Sequence, residues 1–183
     1  NPTGSTYSHD ELAAIAAVMA RHPHVYIMSD EIYEHITYDT TPTCMASFPA
    51  IADRVIVING VSKGFAMTGW RIGYMVGPVW VAQLCEKYQG QITSGACSIA
   101  QKASVAAISG PMAPTYKMRD EFRARRDFMG AELDKIQGLK NYRPEGAFYF
   151  YPDVSAFLGK TAPSGTKIKD VDDLTMYLLN EGG

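Results

Sequence analysis

A chain of 183 residues can build one substantial hydrophobic core, or one domain and part of another, but not two complete large domains. With 46% hydrophobic and 20% charged residues and no low-complexity tract, the composition excludes a disordered chain. The 17 basic and 19 acidic residues lack the basic excess that would neutralise a nucleic-acid backbone, so no nucleic-acid partner is expected. The chain opens on Asn1-Pro2-Thr3-Gly4, which is turn chemistry, and Ser8 with Glu11 makes a capping box that predicts a helix running to about Arg21. His22 and Pro23 end it. Residues 25–28 (VYIM) then read as a short buried strand, with polar Ser29 and Asp30 where it stops. Residues 54–59 (RVIVIN) repeat that arrangement, and residues 71–76 (RIGYMV) give a third strand. Strands alternating with helical stretches predict an α/β fold with a largely parallel sheet.

From Pro78 onward helices dominate, over residues 79–89, 98–109 and 113–136, the last two separated by Gly110 and Pro111. That break is the expected boundary between a large domain, residues 1–110, and part of a smaller one, residues 111–183. In the second part, residues 147–151 (AFYFY) alternate like a strand, residues 159–169 read as a loop, and residues 171–180 as a helix. The charge run over residues 117–127 interleaves arginines with acidic residues and reads as a solvated helix face.

Cys44, Cys85 and Cys97 are odd in number and widely spaced, which suits free thiols in a reducing compartment, so a cytoplasmic location is expected. His9, His22, His24 and His35 form no metal-ligand pattern with them and are expected at the surface. The apolar helical stretch over residues 12–20 is about half of what a membrane span needs, and no signal peptide precedes it. The opening at Asn1, already inside a turn motif, and the stop at Gly182 and Gly183 suggest a piece of a longer protein.

In open α/β sheets, ligands sit beyond the carboxyl ends of the strands. The polar residues at those positions are Asp30 and Tyr33 after the first strand, Ser62 and Lys63 after the second, and Arg71 at the start of the third. They offer a carboxylate, a phenol, a hydroxyl, an amine and a guanidinium. Trp70 and the aromatics of residues 148–151 read as core residues, and Gly64 and Gly69 as turn glycines.

Five segments, NPTG, SDEIYEHITYD, SKGFAMTGWRIGY, TSGACSIAQ and RPEGAFYFYPDVS, stand in the order and spacing of the class I (fold type I) aminotransferases dependent on pyridoxal phosphate (PLP). The chain resembles that family over nearly its whole length, and most of all the bacterial type of aspartate aminotransferase. The resemblance implies a three-layer large domain with a mostly parallel sheet, plus part of a smaller α+β C-terminal domain. Lys63 would carry the cofactor through a Schiff base, which needs a neutral amine. Asp30 would pair with the pyridine nitrogen and make the ring an electron sink. Tyr33 and Asn1 would hydrogen-bond the ring's phenolic oxygen, and Ser62 and Arg71 would bind the phosphate. The implied reaction passes an amino group from an amino acid, aspartate, to a 2-oxo acid, 2-oxoglutarate. Lyases and synthases of the same fold, and regulatory domains that sense PLP without turnover, share these anchoring residues. The resemblance also implies a homodimer, with residues 89–101 near its interface. It implies that the 183 residues alone would not turn over, since relatives draw substrate contacts from sequence on either side.

Overall fold

The capping box forms as the sequence predicts: Ser8 Oγ accepts the Glu11 N–H at 3.3 Å, and the Ser8 N–H donates to Glu11 Oε2 at 2.8 Å. Helix α1, His9–Ala20, follows from it in the computed structural model, which describes residues 1–182. Gly183, the last residue of the expected cut end, lies outside the described residues. Beyond α1 the chain is held by Arg54. Its buried guanidinium donates to the carbonyls of Met19 at 3.2 Å, His22 at 3.0 Å and Val25 at 2.7 Å. One side chain thus satisfies the helix end and the approach to the first strand.

Strands β1 (Ile27–Asp30), β2 (Val55–Gly60) and β3 (Gly73–Val76) form a sheet in the order β1-β2-β3. The central β2 is the most buried. Ala16 of α1 packs with Met45, Ile51, Val55 and Val57 into the main core, flanked by Leu12, Met19, Ile27 and Phe48. The β1–β2 pair is parallel, as read from the sequence, whereas β3 runs antiparallel to β2. A parallel third strand would need a crossover, usually a helix. The connection over residues 61–72 instead folds into turns and one 3-10 segment, Thr68–Trp70, which returns the chain beside β2.

The later helices fall close to their predicted spans: α2 Val79–Ile92, α3 Ser98–Ser109, α4 Ala113–Leu133 and α5 Val171–Glu181. Residues 147–151 are not a strand. Ala147 has φ 57, in the left-handed region, which interrupts an extended chain, and only the isolated bridge between Thr37 and Gly146 forms there. With no sheet to cover them, Phe148, Tyr149 and Tyr151 are exposed, as is Trp70, so these aromatics are not core residues in this structure.

The residues group into two compact units. One comprises Ser5–Arg123 and Glu145–Ala147 and contains α1, the sheet, α2 and α3. Within it Tyr38 N–H donates to Glu145 O at 2.8 Å, Ala147 N–H to Ile36 O at 2.8 Å, and the Tyr38 hydroxyl to Ala147 O. The other comprises Asn1–Gly4, Ala124–Pro144 and the chain from Phe148 onward. Here Asp170 caps α5 by accepting the Asp173 N–H at 2.9 Å, and Lys140 bridges to Asp153. The charge run on α4 is not wholly solvated. In the first unit Arg123 donates to the Tyr38 carbonyl. In the second, Arg126 is buried and donates to Pro144 O at 3.1 Å, because unpaired backbone carbonyls draw guanidinium groups inward.

Cys44, Cys85 and Cys97 are free and exposed. Among the described residues no helix is long and apolar enough to cross a membrane, and no cluster of His, Cys, Asp or Glu could hold a metal ion.

Candidate functional site

Strand register brings the predicted residues to one end of the sheet. Asp30, the last residue of β1, lies opposite Ile58, and Gly60, the last of β2, lies opposite Gly73, the first of β3. The carboxyl ends of β1 and β2 and the start of β3 therefore share an edge, where ligands of such sheets bind. At that edge Asp30 Oδ1 accepts the Ile32 N–H at 3.2 Å, and the Glu31 N–H reaches Ile58 O at 2.9 Å. These two bonds turn the chain so that Tyr33 follows directly.

After β2 the chain coils around Lys63. The Ala66 N–H donates to Lys63 O at 3.2 Å, and Thr68 Oγ1 donates to Ser62 O at 3.1 Å. Arg71 ends the 3-10 segment with φ 56 and ψ 46, and its Nη1 donates to Thr68 O at 2.9 Å. The result is a cleft of about 330 Å³ lined by Ile32, Ser62, Lys63, Thr68, Arg71 and Ile72, with Gly73 at its edge. Lys63 Nζ stands 5.8 Å from the centroid of the Tyr33 ring, within reach of a cation–π contact when protonated. Arg71 also faces a wider hollow of about 740 Å³ shared with Gln89, Thr93 and Cys97. The exposed Cys97 thiol is pulled below its ordinary value of 9.0 by the Ala100 and Ile99 N–H groups at the start of α3.

Of the six predicted residues, Ser62, Lys63 and Arg71 share one cleft, Tyr33 lies against Lys63, and Asp30 stands at the same sheet end. Asn1 belongs to the other unit, where its carbonyl accepts the Gly4 N–H at 3.2 Å. Three features escaped the sequence reading. Thr68 adds a second hydroxyl to the cleft, and only its place inside SKGFAMTGWRIGY hinted at it. Gly64 is buried under His35, whereas a Cβ on Gly69 would meet open space, so only the former is required by close approach. His35, unlike the exposed His9, His22 and His24, is half-buried and packs on Phe65 with ring centroids 5.6 Å apart.

The donor set fits a phosphorylated aldehyde. Two hydroxyls and a guanidinium can meet phosphate oxygens, the amine can bond an aldehyde carbon, and a carboxylate at the sheet end can meet a ring nitrogen.

Residues 1–183 match the family described as aminotransferase class I and II. The aspartate/prephenate aminotransferase of Cereibacter sphaeroides is 46% identical over all of this chain and 46% of its own length. The bifunctional aspartate aminotransferase and glutamate/aspartate-prephenate aminotransferase of Petunia hybrida is 45% identical over 99% of this chain and 39% of its own length. The chain thus spans less than half the length of these relatives. The crystal structure of the aspartate aminotransferase from Rhizobium meliloti superimposes with a TM-score of 0.94 at 42% identity, covering 99% of this chain and 46% of that one. Fold, motif order and family match agree: the chain belongs to the class I and II aminotransferases, a family whose cofactor is pyridoxal 5'-phosphate.

Proposed function

We propose that these residues serve an aminotransferase that passes an amino group from aspartate to 2-oxoglutarate. The observation that carries this reading is the cleft in which Lys63, Ser62, Thr68 and Arg71 converge beside the Tyr33 ring. Bound PLP would supply the aldehyde that takes up the amino group and the ring that accepts the electron pair from the substrate Cα. Lys63 would attach the cofactor through its amine. The Lys63 amine would also be the group that carries a proton between the substrate Cα and the cofactor's C4′. Asp30 would hold a proton on the ring nitrogen through a charge-assisted hydrogen bond, and Arg71 with the hydroxyls of Ser62 and Thr68 would bind the phosphate. Tyr33 would orient the ring through a hydrogen bond to its phenolic oxygen.

Assay of the full-length protein with aspartate and 2-oxoglutarate tests the reading, with oxaloacetate and glutamate as the expected products. The relatives from Cereibacter sphaeroides and Petunia hybrida are named as prephenate aminotransferases as well, which adds prephenate as an acceptor to compare. Faster transfer to prephenate reassigns the acceptor. Breakdown of an amino acid without any 2-oxo-acid acceptor overturns transamination in favour of a lyase.

In the complete protein we place the active unit as a homodimer in the cytoplasm. Exposed Tyr88, Ile92 and Ile99, in or beside residues 89–101, support the first, and three free thiols support the second. We assign residues 1–110 to the large domain and residues 111–183 to part of the small one. Residues 1–183 expressed alone should show no transfer in the same assay.

A further inference from the structure

The turn that carries Lys63 needs something to lean on. Lys63 is the residue before Gly64, and the turn is closed by hydrogen bonds from Ala66 N–H to Lys63 O at 3.2 Å and from Met67 N–H to Val61 O at 3.4 Å, so the Gly64–Phe65 peptides between them are set by what packs against them. At Gly64 the packing comes from His35. A Cβ on Gly64 would fall 2.6 Å from His35 Cδ2 and 3.2 Å from its Cβ, so the imidazole occupies the place that any larger residue at position 64 would need. The same ring meets Phe65 edge-on, with centroids 5.6 Å apart and planes at 79°.

His35 is itself held. Its Nε2 lies 3.5 Å from Glu34 Oε1, and that oxygen accepts a hydrogen bond from buried Asn59 Nδ2 at 2.6 Å. Asn59 Oδ1 in turn accepts the Gly60 N–H at 2.7 Å, at the point where β2 ends. The path runs from the end of β2 through Asn59, Glu34 and His35 to Gly64 and Phe65, closing a ring of contacts around the Lys63 turn. It adjoins Tyr33, whose ring faces the Lys63 amine.

We infer that His35 is a positioning residue for Lys63: its ring, braced by Glu34 and Asn59, sets the Gly64–Phe65 peptides and so the direction in which the Lys63 amine leaves the turn. The inference rests on the reading of Lys63 as the cofactor-bearing lysine. Its effect is on geometry, since a reacting group displaced by 1 Å can lose about 10²-fold in rate.

The test uses the full-length protein stripped of cofactor. It follows the growth of the visible chromophore after addition of pyridoxal 5'-phosphate, together with circular dichroism, kcat and KM. Borohydride reduction and peptide mapping of the parent come first: label on Lys63 upholds the functional reading, and label elsewhere overturns that reading and this inference together. With Lys63 labelled, the variants judge the inference alone. His35→Ala should slow chromophore formation by about ten- to a hundredfold and lower kcat more than it raises KM, with an unchanged dichroism spectrum. His35→Phe, which keeps a flat ring against Phe65, should restore most of the rate. Gly64→Ala should slow chromophore formation strongly, and the double variant His35→Ala/Gly64→Ala should be faster than Gly64→Ala, because the new methyl enters the space the ring has left. Parent-like chromophore formation in folded His35→Ala, or a double variant no faster than Gly64→Ala, overturns it. If His35→Ala does not fold, Gly64→Ala decides: a folded protein with the parent rate shows that the ring does not constrain the turn.

Discussion

Lys63 Nζ stands 5.8 Å from the centroid of the Tyr33 ring, so the amine after β2 and the phenol after β1 face each other at one end of the sheet. An amine in that position, with Arg71 and two hydroxyls in the same cleft, is the expected point of cofactor attachment. Lys63→Ala in the full-length protein should abolish both the bound chromophore and transfer. Borohydride label recovered on Lys87 or Lys102 in the parent would dismantle the site.

Asp30→Ala should still attach cofactor, because Lys63 and the phosphate-facing groups are untouched. Turnover should fall by several orders of magnitude, since the carboxylate acts on the electron sink rather than on attachment. Single-turnover kinetics with aspartate separate the two effects. A variant with near-parent rates would relocate the residue that protonates the ring.

Arg54→Ala removes a buried guanidinium that donates to three carbonyls at the end of α1 and the entry to β1. Leaving those acceptors unpaired should destabilise the fold by about 3 kcal/mol. Urea denaturation of the full-length protein measures it. Arg54→Lys should recover only part, because an ammonium lacks the planar fork that reaches three acceptors.

The Glu11 carboxyl is held below its ordinary value of 4.5 by the Ser8 N–H and hydroxyl. A carboxyl whose folded pKa is depressed contributes stability that is present above its unfolded pKa and is lost as pH falls through the folded one. Glu11→Gln should therefore lower the melting temperature near neutral pH, and the gap to the parent should close as pH drops below 4.5. A gap that stays constant through that range would assign the cap to hydrogen-bond geometry without charge.

Elements with a local cause were legible. The Ser8–Glu11 box and the Gly110-Pro111 break set helix ends by backbone chemistry that neighbours do not alter, and α3 spans the residues that the pattern picked out. The three strands were legible but not their bounds: they begin at Ile27, Val55 and Gly73, one or two residues later than read, so that Asp30 is the last residue of β1 rather than the residue beyond it, and Arg71 ends the 3-10 segment rather than opening β3. What failed depended on partners distant in sequence. Residues 147–151 alternate correctly, yet a strand also needs a neighbour, and Ala147 instead turns left-handed to bond Ile36. The orientation of β3 was hidden because periodicity carries no direction. His35 read as a surface residue because nothing in its own neighbourhood reveals that Gly64 leaves room for its ring.

Arg71 occupies the left-handed region at φ 56, a conformation that costs a non-glycine residue about 1 kcal/mol or more. Glycine would relax that backbone, and it is also the substitution that empties the cleft of its guanidinium. Fold stability and ligand chemistry thus pull in opposite directions at one position. A redesign guided by stability alone would choose Arg71→Gly and produce a firmer scaffold with a disarmed cleft. The strained backbone and the proposed phosphate contact thus fall on the same residue.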